Sequence, residues 1–194
     1  MGHARRHACR NGGRLSVARA KKPQLLHVHV TQLEMLQMPA HREQPPSGPR
    51  IALMRAKDMP LSYYRYLYRE VGKPHHWHLR RNLDDAALEQ AISAERAEIF
   101  ALYVDGCPAG FFELSLVKKP ERVDIHYFGL MPEFHGRGLG KYFLSEAVFA
   151  AWAHQPAKIG IETNTLDSPR AVILYQRAGF SPVKAFDDVV EAWE

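Results

Sequence analysis

Two kinds of hydrophobic pattern follow one another along the chain and predict its secondary structure. Short runs that are apolar, or that alternate apolar with polar residues, predict β-strands, and longer runs with helical spacing predict α-helices. Strands are expected at residues 25–38, 50–56, 99–104, 109–117, 122–130 and 158–163, and helices at residues 61–71, 85–94, 138–154 and 169–178. Residues 180–193 predict one or two short strands with Asp187 and Asp188 at the turn. This order indicates a single α/β domain over residues 25–194.

Turn and capping residues mark the ends of several of these elements. Residues 39–49 hold four prolines and predict a loop. Asp84 is suited to cap the helix that follows it, and Pro169 and Gly179 stand at the start and just past the end of the last helix. The pair at residues 105–106 is Asp-Gly, which predicts a hairpin turn between two strands.

The strand at residues 122–130 precedes the most informative part of the chain. Since side chains alternate between the faces of a strand, two sets are expected on opposite faces. They are Val123, Ile125 and Tyr127 on one face, and Asp124, His126 and Phe128 on the other.

A glycine-rich loop joins this strand to the next helix. Gly136, Gly138 and Gly140 alternate with other residues, which lets the backbone approach a ligand closely. The first N–H groups of a helix lack internal partners and, with the helix dipole, attract anions. Arg137 and Lys141 add positive charge. The spacing fits neither the Rossmann nor the Walker pattern, so the loop predicts an anion site of another kind.

The net charge of +5 is distributed unevenly. Residues 1–22 hold seven basic residues and no acid, so subtracting them from +5 leaves −2 for residues 23–194. Residues 1–24 are expected to be a disordered basic extension. A solvated extension is favoured over an arm that binds RNA or anionic lipid. No apolar run approaches the roughly 20 residues of a membrane span, which predicts a soluble protein.

The cysteines and histidines argue against a disulfide framework and against a metal. Cys9 and Cys107 are two distant cysteines in a chain of 194 residues. The histidines cluster only at residues 75–78, where no neighbouring carboxylate or cysteine completes a set of ligands. No metal is expected, and a reducing cytoplasmic location fits best.

Two stretches together resemble the GNAT superfamily of N-acetyltransferases. Leu130–Met131–Pro132, followed by His135 to Gly140, is similar to the family's cofactor loop, with His135 where Gln or Arg is usual. Residues 170–180 resemble a second family motif, with Ser168 where an Asn often stands. The resemblance covers roughly residues 50–185, and it looks closest to uncharacterised bacterial members.

The resemblance implies the GNAT acyltransferase fold, which is a mixed central sheet of six to seven strands flanked by about four helices. It also implies acetyl-CoA as co-substrate and a set of residues that bind it. These residues are Phe128, Gly129, Leu130, His135, Gly136, Arg137, Gly138, Leu139, Gly140, Lys141, Ser168, Arg170 and Tyr175.

The implied reaction is direct attack of a primary amine, from a small molecule or a peptide, on the acetyl group. Tyr175 matches the family tyrosine that protonates the CoA sulfur. Glu113, Asp124 and His126 are candidates for the base, with Glu113 ranked first and Asp124 second. An aromatic wall for the substrate is expected from Tyr63, Tyr64, Tyr66, Tyr68 and Trp77.

Two other functions stay open at this point. One is a regulatory domain of the same fold that binds acyl-CoA with little or no catalysis. The other is an RNA- or ribosome-associated acetyltransferase tethered by the basic extension. Pairing of the terminal strands near Trp193 in a homodimer is also open. Neither a membrane nor, for the folded body, a nucleic acid is expected as a partner.

Overall fold

The computed structural model describes residues 24–193 and shows one seven-stranded mixed sheet with four α-helices over that range. The strands are β1 (Leu25–Met35), β2 (Ile51–Ala56), β3 (Ala97–Val104), β4 (Cys107–Ser115), β5 (Arg122–Leu130), β6 (Lys158–Asn164) and β7 (Ser181–Glu191). The helices are α1 (Leu61–Gly72), α2 (Asp85–Ala91), α3 (Leu139–Trp152) and α4 (Ala171–Arg177). The predicted fold class is therefore confirmed. The extension predicted at residues 1–24 lies, apart from Gln24, outside the described residues.

The sheet has the strand order β2-β3-β4-β5-β6-β1-β7. All neighbours are antiparallel except β5 and β6, which are parallel and connected through α3. The first strand of the described residues, β1, thus lies between the last two, with β6 on one side and β7 on the other.

Helices pack on both faces of the sheet. Phe143 of α3 and Tyr175 of α4 belong to a cluster with Phe112 on one face. Tyr64 and Leu67 of α1 belong to a second cluster on the opposite face. We call these the α3 face and the α1 face.

A β-bulge in β5 changes which residues share a face. Glu113 pairs with Tyr127, but the next residue of β4 pairs with Ile125, so His126 is an extra residue in β5. Val123 and Ile125 accordingly pack on the α3 face, whereas Tyr127 packs on the α1 face. The prediction that these three residues share a face was wrong, because a bulge interrupts strict alternation.

The segment after α4 also differs from its prediction. It forms one strand of 11 residues, β7, and Asp187 and Asp188 lie in its interior instead of at a turn. They pair with His29 and Val28 of β1. The distant partner β1 supports β7 along most of its length, and this outweighs the local turn preference of two adjacent aspartates.

None of the helices described between residues 24 and 193 is long and apolar enough to cross a membrane.

Candidate active site

The parallel strands β5 and β6 separate about halfway along their length. They pair from Arg122 and Lys158 as far as Ile125 and Ile161, and no pairing follows. A cavity of about 950 Å³ occupies this region and is lined from both faces of the sheet. Since β6 leaves at the bulge, the edge of β5 from His126 to Leu130 faces the cavity without a strand beside it. This volume falls in the range of small-molecule sites.

The predicted glycine loop forms one end of the cavity. Gly136 and Gly138 have φ of +73° and +75°, in the left-handed region that favours glycine. An added Cβ would meet nothing within 4 Å at Gly136 and only Pro46, at 3.9 Å, at Gly138. These glycines therefore serve the backbone conformation, not tight packing.

The same loop starts helix α3 in a way that suits an anion. Gly138 is the N-cap, no side chain caps the first turn, and that turn contains no acidic residue. The first N–H groups thus combine with the positive end of the helix dipole. His135, Gly136, Gly138, Leu139 and Gly140 line the cavity.

Three side chains of the loop have partners within the protein. His135 lines the cavity, and its Nε2 lies 3.0 Å from the Leu130 carbonyl oxygen. Arg137 and Lys141 are not among the cavity-lining residues. The guanidinium of Arg137 lies 4.8 Å from the centre of the Phe134 ring, and Lys141 Nζ lies 3.5 Å from Glu43.

Tyr175 lies in the cavity wall on the α3 face, 6% exposed. Its ring stands edge-on to that of Phe128, with 6.3 Å between the centroids. Burial raises the pKa of the Tyr175 phenol well above its ordinary value, and the Asp167 carboxylate raises it further. The hydroxyl therefore keeps its proton at neutral pH. Ser168 and Arg170, just before α4, line the cavity beside it.

The first two candidates for the base are held in ion pairs. Glu113 is fully buried and does not line the cavity. It accepts hydrogen bonds of 2.6 Å from both the Tyr64 hydroxyl and Arg80 Nη2. Asp124 does line the cavity, but it forms ion pairs with Arg122 and with Lys118, whose Nζ lies 3.3 Å away.

His126, the third candidate, lies on the bulge at the point where β5 and β6 separate. It lines the cavity and is exposed. Desolvation by the surrounding walls lowers the pKa of the imidazole; the Glu113 carboxylate opposes this and Arg80 reinforces it. The ring is therefore neutral at pH 7 and able to accept a proton.

Comparison with known proteins identifies the family of this chain. A model of the acetyltransferase (GNAT) family matches residues 58–180. The chain belongs to this family. No significant match was found among curated proteins.

Solved structures share the GNAT fold with this chain at low sequence identity. A functionally unknown conserved protein from Staphylococcus epidermidis is 14% identical with a TM-score of 0.54, covering 87% of this chain and 64% of its own. A GCN5-related N-acetyltransferase from Kribbella flavida is 16% identical with a TM-score of 0.54, covering 87% and 60%. A GNAT acetyltransferase from Elizabethkingia anophelis with acetyl-CoA bound is 18% identical with a TM-score of 0.52, covering 69% and 78%. This chain thus spans less than two thirds of the first two.

The aromatic wall predicted for this GNAT domain is only partly assembled. Tyr68 and Trp77 line the cavity. Tyr64 is fully buried against α1's face of the sheet, and the Tyr63 hydroxyl lies 2.6 Å from that of Tyr103. Tyr66 stacks on Tyr63 and does not reach the cavity. Helical spacing alone does not distinguish a residue that faces the core from one that faces a cleft.

Several cavity residues on the α1 face were not predicted from the sequence. They come from three different strands, and no local motif marks them: Val30, Gln32, Glu162, Asp188 and Val190. They meet only because β1 lies between β6 and β7.

Two of the histidines at residues 75–78, His75 and His76, have protein partners. His75 Nδ1 lies 3.2 Å from the Leu166 carbonyl oxygen, and His76 Nδ1 accepts from the Trp193 N–H at 2.9 Å. Within residues 24–193, no three His, Cys, Asp or Glu side chains are placed to hold a metal ion.

Proposed function

We propose that this GNAT domain transfers the acetyl group of acetyl-CoA to a primary amine by direct attack. The observation that carries the proposal is the cleft where β5 and β6 separate. It connects an anion-binding loop on one side with a protonated tyrosine and a neutral histidine in its walls. Acetyl-CoA supplies the activated thioester, and the protein supplies position and proton transfer.

The residues present fit acetyl-CoA. The loop at residues 136–140, with its free N–H groups and positive dipole, would hold the pyrophosphate. The unpaired edge of β5 at Phe128, Gly129 and Leu130 would pair with the amides of the pantetheine arm. A backbone N–H on this edge would stabilise the negative charge that develops on the thioester oxygen. The bound acetyl-CoA in the Elizabethkingia relative supports the choice of ligand.

Tyr175 is proposed as the acid that protonates the departing CoA sulfur. Its raised pKa keeps the phenol protonated, and its ring lies in the cavity wall, edge-on to that of Phe128 on β5. Ser168 and Arg170 are proposed to contact the CoA from the start of α4. Arg137 and Lys141, which lie outside the cavity lining, would act at longer range on the phosphates.

We assign the base to His126 ahead of Glu113 and Asp124. The imidazole is neutral and open to the cleft, whereas the Glu113 carboxylate is buried against Arg80 and that of Asp124 is paired with Arg122. Cys107 lies at the start of β4 outside the cavity lining, which favours direct attack over an acyl-cysteine intermediate.

Calorimetry with acetyl-CoA, followed by a turnover assay with a panel of amines, tests the proposal. Gly138→Glu would add strain and a negative charge where the pyrophosphate is expected. Hydrogen bonds to a charged group contribute about 1.5–3 kcal/mol each. We therefore expect the affinity for acetyl-CoA to fall about a hundredfold.

Gly106→Glu is the matched control. Gly106 also has a positive φ, of +87°, and open space at its Cβ, but it lies in the β3–β4 hairpin. Its variant should bind acetyl-CoA like the wild type. Equal affinity of the wild type and Gly138→Glu would contradict the cofactor site. Tight binding without turnover of any amine would instead favour a regulatory domain.

A further inference from the structure

The acceptor end of the cleft lies on the α1 face, between the loop after α1 and the strands β5, β6, β1 and β7. Two adjacent histidines of that loop, His75 and His76, have no role in the proposed amine reaction. Both are half-buried, and both line the cavity. The next residue, Trp77, brings this segment up to β5, since a Cβ on Gly129 would lie 3.7 Å from the Trp77 ring. The two histidines thus stand beside the edge of β5 that the proposed reaction uses.

The partners of the two rings give them opposite hydrogen-bonding roles. His75 Nδ1 lies 3.2 Å from the Leu166 carbonyl oxygen, which can only accept, so Nδ1 carries the hydrogen and Nε2 of the neutral ring has a lone pair. This Nε2 is not among the buried polar atoms that lack a partner in the described residues, so it is accessible. His76 Nδ1 accepts from the Trp193 N–H at 2.9 Å, so its hydrogen is on Nε2. Of the two neutral rings, only that of His75 is therefore placed to take a proton in the cavity.

A carboxylate stands on the Nδ1 side of the His75 ring. Asp167 Oδ1 lies 4.0 Å from His75 Nδ1, too far for a hydrogen bond but close enough to stabilise a positive charge on the imidazole. The other oxygen of Asp167 is fixed by the Thr163 hydroxyl at 2.7 Å and by the Asn164 N–H at 3.1 Å. An imidazole with a fixed tautomer, a free Nε2 and a carboxylate on its Nδ1 side is suited to activate a hydroxyl nucleophile.

The proposed acid lies near the same carboxylate. Tyr175 lines the cavity, and the Asp167 charge is close enough to raise the pKa of its phenol. The histidine that can accept a proton and the tyrosine that can donate one therefore belong to the same region of the cavity.

A hydroxyl needs such a base more than an amine does. A neutral amine already has a lone pair with which to attack, whereas a hydroxyl is a weak nucleophile until a neighbouring base takes its proton. In the proposed amine reaction His126 is sufficient as the base. The pairing of His75 with Asp167 is thus left for an acceptor that is harder to activate.

We propose that the cleft has a second activity, the transfer of the acetyl group to a primary alcohol, with His75 as the base and Asp167 as the residue that stabilises its charged form. This inference rests on the proposed use of acetyl-CoA with Tyr175 as the acid. As His75 Nε2 takes the hydroxyl proton, the acceptor oxygen forms a bond to the acetyl carbonyl carbon. The bond from that carbon to the CoA sulfur breaks, and Tyr175 gives its proton to the sulfur. The proton on His75 then returns to the Tyr175 oxygen through water, so that the products are an acetate ester and CoA.

The test compares alcohols with amines of the same carbon skeleton, namely benzyl alcohol with benzylamine and butanol with butylamine. The benzyl pair suits the Trp77 and Tyr127 rings, whose centroids lie 4.9 Å apart in the cavity wall. Mass spectrometry of the ester and amide products measures the two rates. The wild type should form both products, and the ratio of the ester rate to the amide rate is the quantity compared among variants.

His75→Asn separates a chemical role from a structural one. The Asn amide keeps a donor at the position of Nδ1, and so the contact with Leu166, but it has no atom at the position of Nε2. Since a general base contributes about a hundredfold or more, the ratio of ester to amide formation should fall about a hundredfold. Asp167→Asn should lower the ratio by a smaller factor, because its effect on Tyr175 is common to both reactions and cancels.

Two further variants serve as controls. His126→Gln should raise the ratio, since it removes the base of the amine reaction. His78→Asn removes another imidazole that lines the same cavity, and it should leave the ratio unchanged. Amides without esters, or a ratio that His75→Asn lowers no more than His78→Asn does, would overturn the inference and leave the proposed function intact. Neither product from a protein that binds acetyl-CoA would overturn the proposed function, and this inference with it.

Discussion

The two ends of the cleft are built in different ways. The cofactor end comes mainly from one continuous stretch, Leu130 to Gly140, and it presents backbone N–H groups. The acceptor end comes from four strands and the loop after α1, and it presents side chains. The conformation of the continuous stretch is set locally by its glycines, whereas the acceptor end forms only when all the strands of the sheet have paired. Substitutions far from the cleft should therefore have little effect on the cofactor end and a larger effect on the acceptor end.

The largest effect is expected from Glu113→Gln, which leaves Arg80 buried without a negative partner. Removing one member of a buried ion pair costs about 3 kcal/mol or more. The free energy of unfolding, measured with urea, should fall by about 3 kcal/mol. Arg80 follows the loop that forms the acceptor wall, so amine binding should weaken while acetyl-CoA affinity of the folded protein stays unchanged.

Glu98→Gln provides the control for this change. Glu98 is also largely buried, but of its two partners Arg55 is about half exposed and can turn to solvent, and the other, His154, carries no permanent charge. Its variant should lose less stability. If Glu113→Gln kept wild-type stability but lost the acidic limb of the pH–rate profile, Glu113 would be the base after all.

Tyr175→Phe should have the next largest effect, and it should act on chemistry at the cofactor end. Loss of a positioned acid typically costs about a hundredfold in rate. We expect kcat to fall by about that factor, with the acetyl-CoA dissociation constant unchanged. Stopped-flow and steady-state kinetics measure the two separately. Tyr142→Phe is the control, because it removes a hydroxyl from α3 outside the cavity lining and should leave kcat unchanged. An unchanged kcat for Tyr175→Phe would instead rule out Tyr175 as the acid.

His126→Gln should have a smaller effect, about tenfold on kcat/KM at pH 7, because water can replace a base less efficiently. Only the neutral imidazole accepts a proton, and its pKa is lowered. The wild-type rate should therefore fall more steeply below about pH 6.5, in addition to the fall caused by protonation of the amine itself. This extra steepness should vanish in His126→Gln and persist in His78→Gln. Its persistence in His126→Gln would remove His126 as the base.

The smallest effects should come from Arg137→Ala and Lys141→Ala. Exposed charges of this kind contribute at most about 1 kcal/mol, so acetyl-CoA affinity should fall two- to fivefold at most. Calorimetry at two salt concentrations measures the change and its screening. A loss much greater than this would show that either side chain reaches the phosphates and that the cofactor end depends on side chains as well.

The difference between the two ends also explains how far the sequence was informative. The strands, the helices and the glycine loop were predictable because periodicity, caps and positive-φ glycines are local signals. The bulge at His126 was not, because the residue inserted in β5 shows only against its partner β4. The acceptor end could not be predicted either, since nothing in the sequence of residues 25–35 indicates that this strand lies between β6 and β7. Glu113 was a candidate base because it lies on a central strand. In the structure its carboxylate is paired with Arg80, which lies 33 residues earlier in the chain.

The central position of β1 has a consequence for how the chain folds. β1 ends at Met35, whereas its two partners begin at Lys158 and Ser181, so its pairing closes very long loops and should form slowly. During synthesis, β1 leaves the ribosome long before either partner exists, with unpaired edges that invite association with other chains. The Ala192 N–H donates to the Gln24 carbonyl oxygen at 2.8 Å, so the two strands could be joined directly. A circular permutant that is opened in the loop at residues 39–49 and lacks residues 1–23 would place β1 directly after β7 and turn the slowest pairing into a local hairpin.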